Sequence, residues 1–220
     1  IAIGIIIVVL YVLFPVGMGI AAIIPAQSAV GNPPAGFEEI TLITDDGIQL
    51  EGWYSPPQSG IAIILLHGSG GSRESVRSYI EILTSNGYGV LALDQRGHGE
   101  SGGKTGRLGW EGTSDVGAAV AFLEDQPEVK HIGGLGISMG GEVLLGAASS
   151  YPQIEKIVAD GATRRSLNEL LALESERPLV RNYTARVMFA TVQVIGGIKP
   201  PSPLLESIKQ AENTRFLFIA

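Results

Sequence analysis

From Ile1 to Ile24 the chain is apolar apart from Gly4, Pro15, Gly17 and Gly19, with no charged residue before Glu38 and no Lys or Arg before Arg73. As a helix, at ~1.5 Å per residue, this run would measure about 36 Å against a hydrocarbon core of ~30 Å. A helix buried in a soluble core carries a polar stripe, and this one carries none. The pattern therefore predicts a single transmembrane anchor over 1–24. A cleaved signal peptide is the rival, with Ala26-Gln27-Ser28-Ala29 resembling a cleavage site. The flank that follows holds Glu38, Glu39, Asp45 and Asp46 and no positive charge. The positive-inside rule then places the rest of the chain on the non-cytoplasmic side.

Beyond the apolar run the periodicity changes. Gly31-Asn32-Pro33-Pro34-Ala35-Gly36 marks a linker over 25–37. Glu39–Thr44 and Ile48–Tyr54 read as strands joined by Asp45-Asp46-Gly47, a strong hairpin signal. Ile61–Leu66, Val90–Leu93, Ile132–Ile137 and Ile154–Ala159 are short apolar runs suited to strands buried on both faces, and Phe216–Ile219 begins another. Between them, Ser75–Ser85, Thr113–Leu123 and Gly140–Ala148 fit helices. Asn86-Gly87 closes the first, Thr113 or Ser114 caps the second, and Asp115 favours its first turn. Strands alternating with helices predict a mostly parallel, doubly wound sheet. Between Asp160 and Thr214 the alternation lapses. Ser166–Leu173 looks helical, Val187–Ile195 is nearly all apolar, and Gly196-Gly197 and Pro200-Pro201-Ser202-Pro203 interrupt the chain. An excursion of that length between core strands reads as a cap, over about 164–213.

Composition narrows the function classes. The 220 residues hold 15 Lys and Arg against 22 Asp and Glu, for a net charge of −7, which argues against a nucleic-acid partner. Cysteine is absent, which removes disulfides, thiolate metal sites and a cysteine nucleophile. No His/carboxylate cluster suggests a metal, and the glycine-rich loops lack the Lys-Ser/Thr ending of a phosphate loop. No cofactor is implied.

Two stretches match G-x-S-x-G: Gly136-Ile137-Ser138-Met139-Gly140 and Gly99-Glu100-Ser101-Gly102-Gly103. Context separates them. Ser138 follows a buried strand and precedes a helix, the setting of a nucleophile elbow, whereas Ser101 lies in a glycine-rich loop. The helix N-terminus behind Ser138 favours developing negative charge. The amide of Met139 is one oxyanion donor; the amide of Ser69, in His67-Gly68-Ser69-Gly70-Gly71 after the 61–66 strand, is the second. Against these stand bland readings: a structural strand–helix turn at Ser138 and a tight turn at 67–71. His67 reads as structural, because it sits on the wrong side for a general base. Trp53 and Trp110 read as packing or rim residues, Arg164-Arg165 as a solvated pair, and Val187–Ile195 as buried under the cap or touching an acyl chain or the bilayer.

The three stretches 67–71, Asp94-Gln95-Arg96-Gly97-His98-Gly99-Glu100-Ser101 and 136–141 follow the order and spacing of the α/β-hydrolase superfamily. From Glu38 to Ala220 the chain resembles its monoacylglycerol-lipase and serine-aminopeptidase-like members, including membrane-anchored ones. The resemblance implies an α/β-hydrolase domain over 38–220 and a structural role for the 94–101 loop, His98 included. It also implies a triad in the order Ser, acid, His. The acid follows the strand begun at Phe216 and the His comes one strand later, so both are expected beyond Ala220. The chain then reads as a C-terminally truncated fragment, inactive as it stands. Of the histidines present, His131 precedes its strand, at the end opposite Ser138. Asp160 ends a core strand, where some members place the acid, and is kept as an alternative acid or a cap-turn residue. A serine at the elbow argues against haloalkane dehalogenase and epoxide hydrolase chemistry. The implied function is a membrane-tethered serine hydrolase acting on a small-molecule or lipid-like carboxylic ester, thioester or small amide. A catalytically silent scaffold that binds a ligand or partner at the membrane is the alternative. A lyase or acyltransferase on the same triad is a weaker third.

Overall fold

The computed structural model describes residues 2–104, 108–173 and 179–219. Ile1, Ala220, residues 105–107 and residues 174–178 of the expected cap lie outside the described residues. The apolar run is helical as α1 (Ala2–Val8), a π-helical turn (Val9–Leu13) and α2 (Phe14–Ile23). The linker expected at 25–37 is not free. Its β1 (Ala26–Gln27) pairs in parallel with β6 (His98–Gly99), and Gln27 Nε2 donates to the Ser101 carbonyl at 3.0 Å.

The hairpin forms as expected, from β2 (Glu38–Ile43) and β3 (Gln49–Ser55), closed by Gly47 at φ +81°. Then come β4 (Ile61–Leu66), α3 (Arg77–Ser85), β5 (Gly89–Leu93) and α4 (Thr113–Glu124). The chain continues through β7 (His131–Ile137), α5 (Met139–Ala147), β8 (Ile154–Asp160), α6 (Leu167–Leu173), α7 (Leu179–Gly196), α8 (Leu204–Gln210) and β9 (Arg215–Ile219). The seven-stranded sheet has the order β2-β3-β5-β4-β7-β8-β9, parallel from β5 to β9.

Alternation along each strand sorts side chains to two faces. On β4, Ile64 and Leu66 join a core with Val116, Leu123, Val143 and Leu144 of α4 and α5. Leu65, between them, packs on the other face with Trp53, Val76 and Ile80. Trp53 is fully buried there, its ring flanked by the guanidinium of Arg77 at 4.5 Å and of Arg73 at 5.1 Å. A third, smaller cluster holds Trp110, Leu170, Phe189, Val192 and Ile198, with Ala22 and Ile23 of α2 against it.

Strand order places the site. From β4 the chain steps to β5 on one side, then crosses to β7 on the other. The loops after β4 and β7 therefore diverge and leave a crevice at their carboxyl ends, where ligands bind in open α/β sheets.

Several expectations need correction. The N-cap of α4 is Gly112, which has no side chain to cap the helix, and the Thr113 hydroxyl, one position on, accepts from Arg165 (3.1 Å). Arg165 is not part of a solvated pair: it is buried, while Arg164 is exposed. The 187–195 run is only half covered, for Phe189 and Val192 are buried but Val194 is 82% exposed. The helix α8 follows the proline cluster, which starts a helix as well as breaking the chain. Pro203 precedes its first residue, and the Leu204 amide donates to Glu169 Oε1.

Candidate active site

Ser138, the candidate nucleophile, stands between β7 and α5 at φ 50°, ψ −114°, the only non-glycine residue with positive φ among the described residues. Backbone in such a region costs of order 1–3 kcal/mol and persists only where its surroundings enforce it. Here the Ser138 amide donates to the Asp160 carbonyl (2.6 Å), and the Ser138 carbonyl accepts from the Glu142 amide (3.0 Å). Two glycines make the turn possible by close approach. A Cβ on Gly136 would collide with the Gly140–Gly141 backbone, and one on Gly140 with the carbonyls of Leu66 and His67.

The same packing brings the loop after β4 to the turn. A Cβ on Gly68 would lie 3.6 Å from Ser138 Cβ and 3.5 Å from the Ile137 carbonyl oxygen. Ser69 and Met139, the candidate oxyanion donors, line one cleft of about 410 Å³ with Ser138. Its polar lining includes Glu142, Thr163, Arg164 and Arg165, and its apolar lining Leu108, Trp110, Leu170, Met188 and Phe189. Burial pushes the Glu142 carboxyl above the usual range, opposed by the amides of Arg164 (3.0 Å) and Thr163 (3.3 Å), which donate to Oε1.

Asp160, the alternative acid, turns its carboxylate to α3, where Oδ2 accepts from the Tyr79 hydroxyl at 2.7 Å. Its backbone carbonyl serves the Ser138 turn.

All three histidines lie among the described residues, and each is engaged away from Ser138. His67 Nδ1–H donates to the Gly68 carbonyl (2.8 Å), and Nε2 accepts from the Gln95 amide (3.1 Å). His98 Nδ1 is 3.0 Å from the Arg96 carbonyl. His131 meets Glu155 at 2.6 Å, at the amino ends of β7 and β8, opposite the end that carries Ser138.

Burial holds the His67 ring neutral, its pKa pushed down to about 4. Unfolded, it takes up a proton near 6.5. Between those values the unfolded state binds more protons, so stability declines as pH falls. The difference amounts to about 3 kcal/mol at pH 4, and His67→Asn is expected to flatten the decline by roughly that amount. Urea unfolding of both proteins between neutral pH and pH 4 measures it through the slope, whatever the variant's absolute stability.

The 94–101 loop is structural. The buried Asp94 carboxylate pairs with the Arg73 guanidinium and accepts from the amides of Arg73 (2.6 Å) and Glu100 (2.9 Å). Ser101 Oγ, the serine of the other G-x-S-x-G match, donates to the Asp94 carbonyl (2.6 Å) and accepts from the Glu51 amide (2.8 Å).

Two contributors to the site, Glu142 and Tyr79, escaped the sequence reading, and a third, Arg165, was misread as solvated. Glu142 had a usable signal, one helical turn after Ser138 on the same face. Arg165 and Tyr79 had none. The Arg165 guanidinium fills the space a side chain at Gly146 would take and donates to the Trp110 carbonyl (3.2 Å), and Tyr79 reaches Asp160 across 81 positions of sequence.

Comparison with known proteins agrees with this geometry. A family model described as serine aminopeptidase, S33, matches residues 57–198. An uncharacterized protein of Mycobacterium tuberculosis is 33% identical over 133 residues, covering 58% of this chain and 46% of that protein. An uncharacterized protein of Salmonella typhi is 29% identical over 131 residues, covering 56% and 44%. The matched chain thus spans less than half the length of these relatives. Among solved structures, an esterase of Pyrococcus furiosus superposes with a TM-score of 0.65 at 25% identity, covering 90% of this chain and 88% of that one. The match extends over well more than half the residues, and the sheet order and elbow geometry accord with it: the chain belongs to the serine aminopeptidase S33 family, within the α/β-hydrolases.

Proposed function

We propose that this hydrolase is a serine enzyme held at a membrane by its N-terminal helix and cleaving a carboxylic ester, thioester or small amide. Ser138 Oγ attacks the carbonyl carbon, and the amides of Ser69 and Met139 receive the oxyanion. The tetrahedral adduct collapses, breaking the bond to the alcohol, thiol or amine, which leaves with the proton taken from Ser138, and water then hydrolyses the acyl-enzyme to release the acid and restore the serine. The observation that carries the reading is the strained φ of Ser138 at the strand–helix turn, inside a cleft it shares with Ser69 and Met139. The apolar lining from Trp110, Leu170, Met188 and Phe189 supports an acyl group as the part of the substrate bound there.

The proton must be taken by a base, and the three histidines are committed elsewhere. The proposal therefore places the His and its acid partner beyond residue 220, with Asp160 as the alternative acid. The engagement of all three histidines equally favours the second reading, a silent scaffold that binds a ligand in the same cleft.

A fluorophosphonate distinguishes the two, since it phosphonylates a serine whose hydroxyl is activated by a base. Treating the full-length protein and mapping the adduct by peptide mass spectrometry is expected to place one phosphonyl group on Ser138 and none on Ser101. An unlabelled Ser138 in folded full-length protein would support the scaffold.

A further inference from the structure

The N-terminal helix is docked on the cap, and the docking limits how it can meet a bilayer. The N-terminal helix and α7 run side by side in the same direction. The rings of Tyr11 and Tyr183 lie 6.1 Å apart, a Cβ on Gly19 would come within 2.6 Å of Thr191 Cβ, and Gly196 faces Ile23 at the other end. From Tyr11 to Ile23 the seam covers about 18 Å of helix, at ~1.5 Å per residue. The apolar stretch Gly4–Ile23 has the length to cross a membrane. Standing across a ~30 Å core, however, it would carry α7 in beside it. α7 includes Arg181, Asn182, Arg186 and Gln193, and an arginine at the centre of a bilayer costs roughly 2.5–3.5 kcal/mol.

The outer side of the N-terminal helix is apolar and uncovered. Ile6, Leu13 and Ile20 are 56%, 59% and 39% exposed. The α2–α7 pair thus resembles one amphipathic unit, with an apolar outer face from the N-terminal helix and, on α7, exposed Arg186 and Gln193 alongside exposed Tyr183, Val194 and Ile195. A unit of that kind lies in the interface, its apolar side ~5–10 Å into the leaflet and its cations toward anionic headgroups.

We infer that the N-terminal helix lies in the plane of one leaflet of an anionic bilayer while docked on α7, rather than crossing it. Met188 and Phe189 of α7 line the Ser138 cleft, so the lipid-facing helix packs on the helix that walls the cleft. This goes beyond the proposed activity, and its test needs no turnover.

The chain has no cysteine, so single-cysteine variants take one label each. Ile6→Cys, Leu13→Cys and Ile20→Cys, with exposed Ile82→Cys on α3 as aqueous control, carry a small fluorophore on the full chain in phosphatidylcholine–phosphatidylglycerol vesicles. Quenching is read with lipids bearing a nitroxide near the headgroup or near the chain end, and with aqueous iodide. The in-plane helix is expected to show a flat profile. The three labels then share one shallow depth, with quenching ratios agreeing within about twofold, and are shielded from iodide while Ile82→Cys is not. A deep Leu13 label between shallow Ile6 and Ile20 labels would overturn the inference in favour of a crossing helix. Iodide quenching of all three would overturn it in favour of no insertion.

Discussion

Ser138→Ala in the full-length protein is expected to lower kcat/KM for a short-chain ester by a factor on the order of 10³ or more, with little change in KM. The attack that Ser138 is proposed to make exists only on the way to the transition state, so its loss falls on kcat. Alanine is compatible in size with the turn, so the melting temperature should change little. Ser101→Ala is the informative contrast, because both serines sit in G-x-S-x-G. It removes a buried hydroxyl that bridges the Asp94 carbonyl and the Glu51 amide, and leaves both groups without that partner. It should cost about 1–3 kcal/mol of stability while turnover per folded molecule persists. Initial rates together with thermal melts separate the outcomes. Equal loss of turnover in both variants would mean that position after a strand does not distinguish the two motifs.

The second large effect belongs to stability. Asp115→Ala is expected to destabilise the fold by about 3–5 kcal/mol, which lowers the melting temperature of a domain this size by roughly 6–20 °C. Asp115 is fully buried and accepts from Arg96 twice, at Nε (2.7 Å) and at the amide (2.9 Å). Without it, a buried guanidinium keeps, among the described residues, only Asp46, at 2.7 and 3.0 Å, as counter-charge. That carboxylate is 47% exposed, and the Arg96 guanidinium holds its pKa down to about 2. Solvent screens the outer pair, so Asp46→Ala should cost about 1 kcal/mol or less. Adding Arg96→Met to Asp115→Ala should restore part of the loss, because the penalty lies in the orphaned charge. Urea unfolding of the four proteins checks the ordering.

The sheet was legible because its strands are short, apolar and bounded by turn residues. Ile61–Leu66 declared both its extent and its burial, and 136–141 declared the turn because strand, glycines and helix are local. What the sequence hid was made by distant partners. Ala26-Gln27 pairs with His98-Gly99 through too few residues to leave a pattern, and Arg165 is buried only because Gly146 and the Trp110 carbonyl receive it. Asp115 looked like a helix-dipole residue, and its main partner, Arg96, lies outside the helix. The interruption of the strand–helix alternation after β8 was recognisable, but α8 was not, since the prolines before it signal a break and a start alike.

The two tryptophans occupy different packing units. Trp53 lies against two guanidinium groups in the core under α3, and Trp110 packs at 5.3 Å against Phe189 in the cluster that joins α6 and α7 to the N-terminal helix. The molecule thereby carries one intrinsic chromophore for its framework and another for its cover. Emission from Trp53→Phe protein would report the cover alone, so a cap that loosens on meeting lipid has an optical signature distinct from global unfolding.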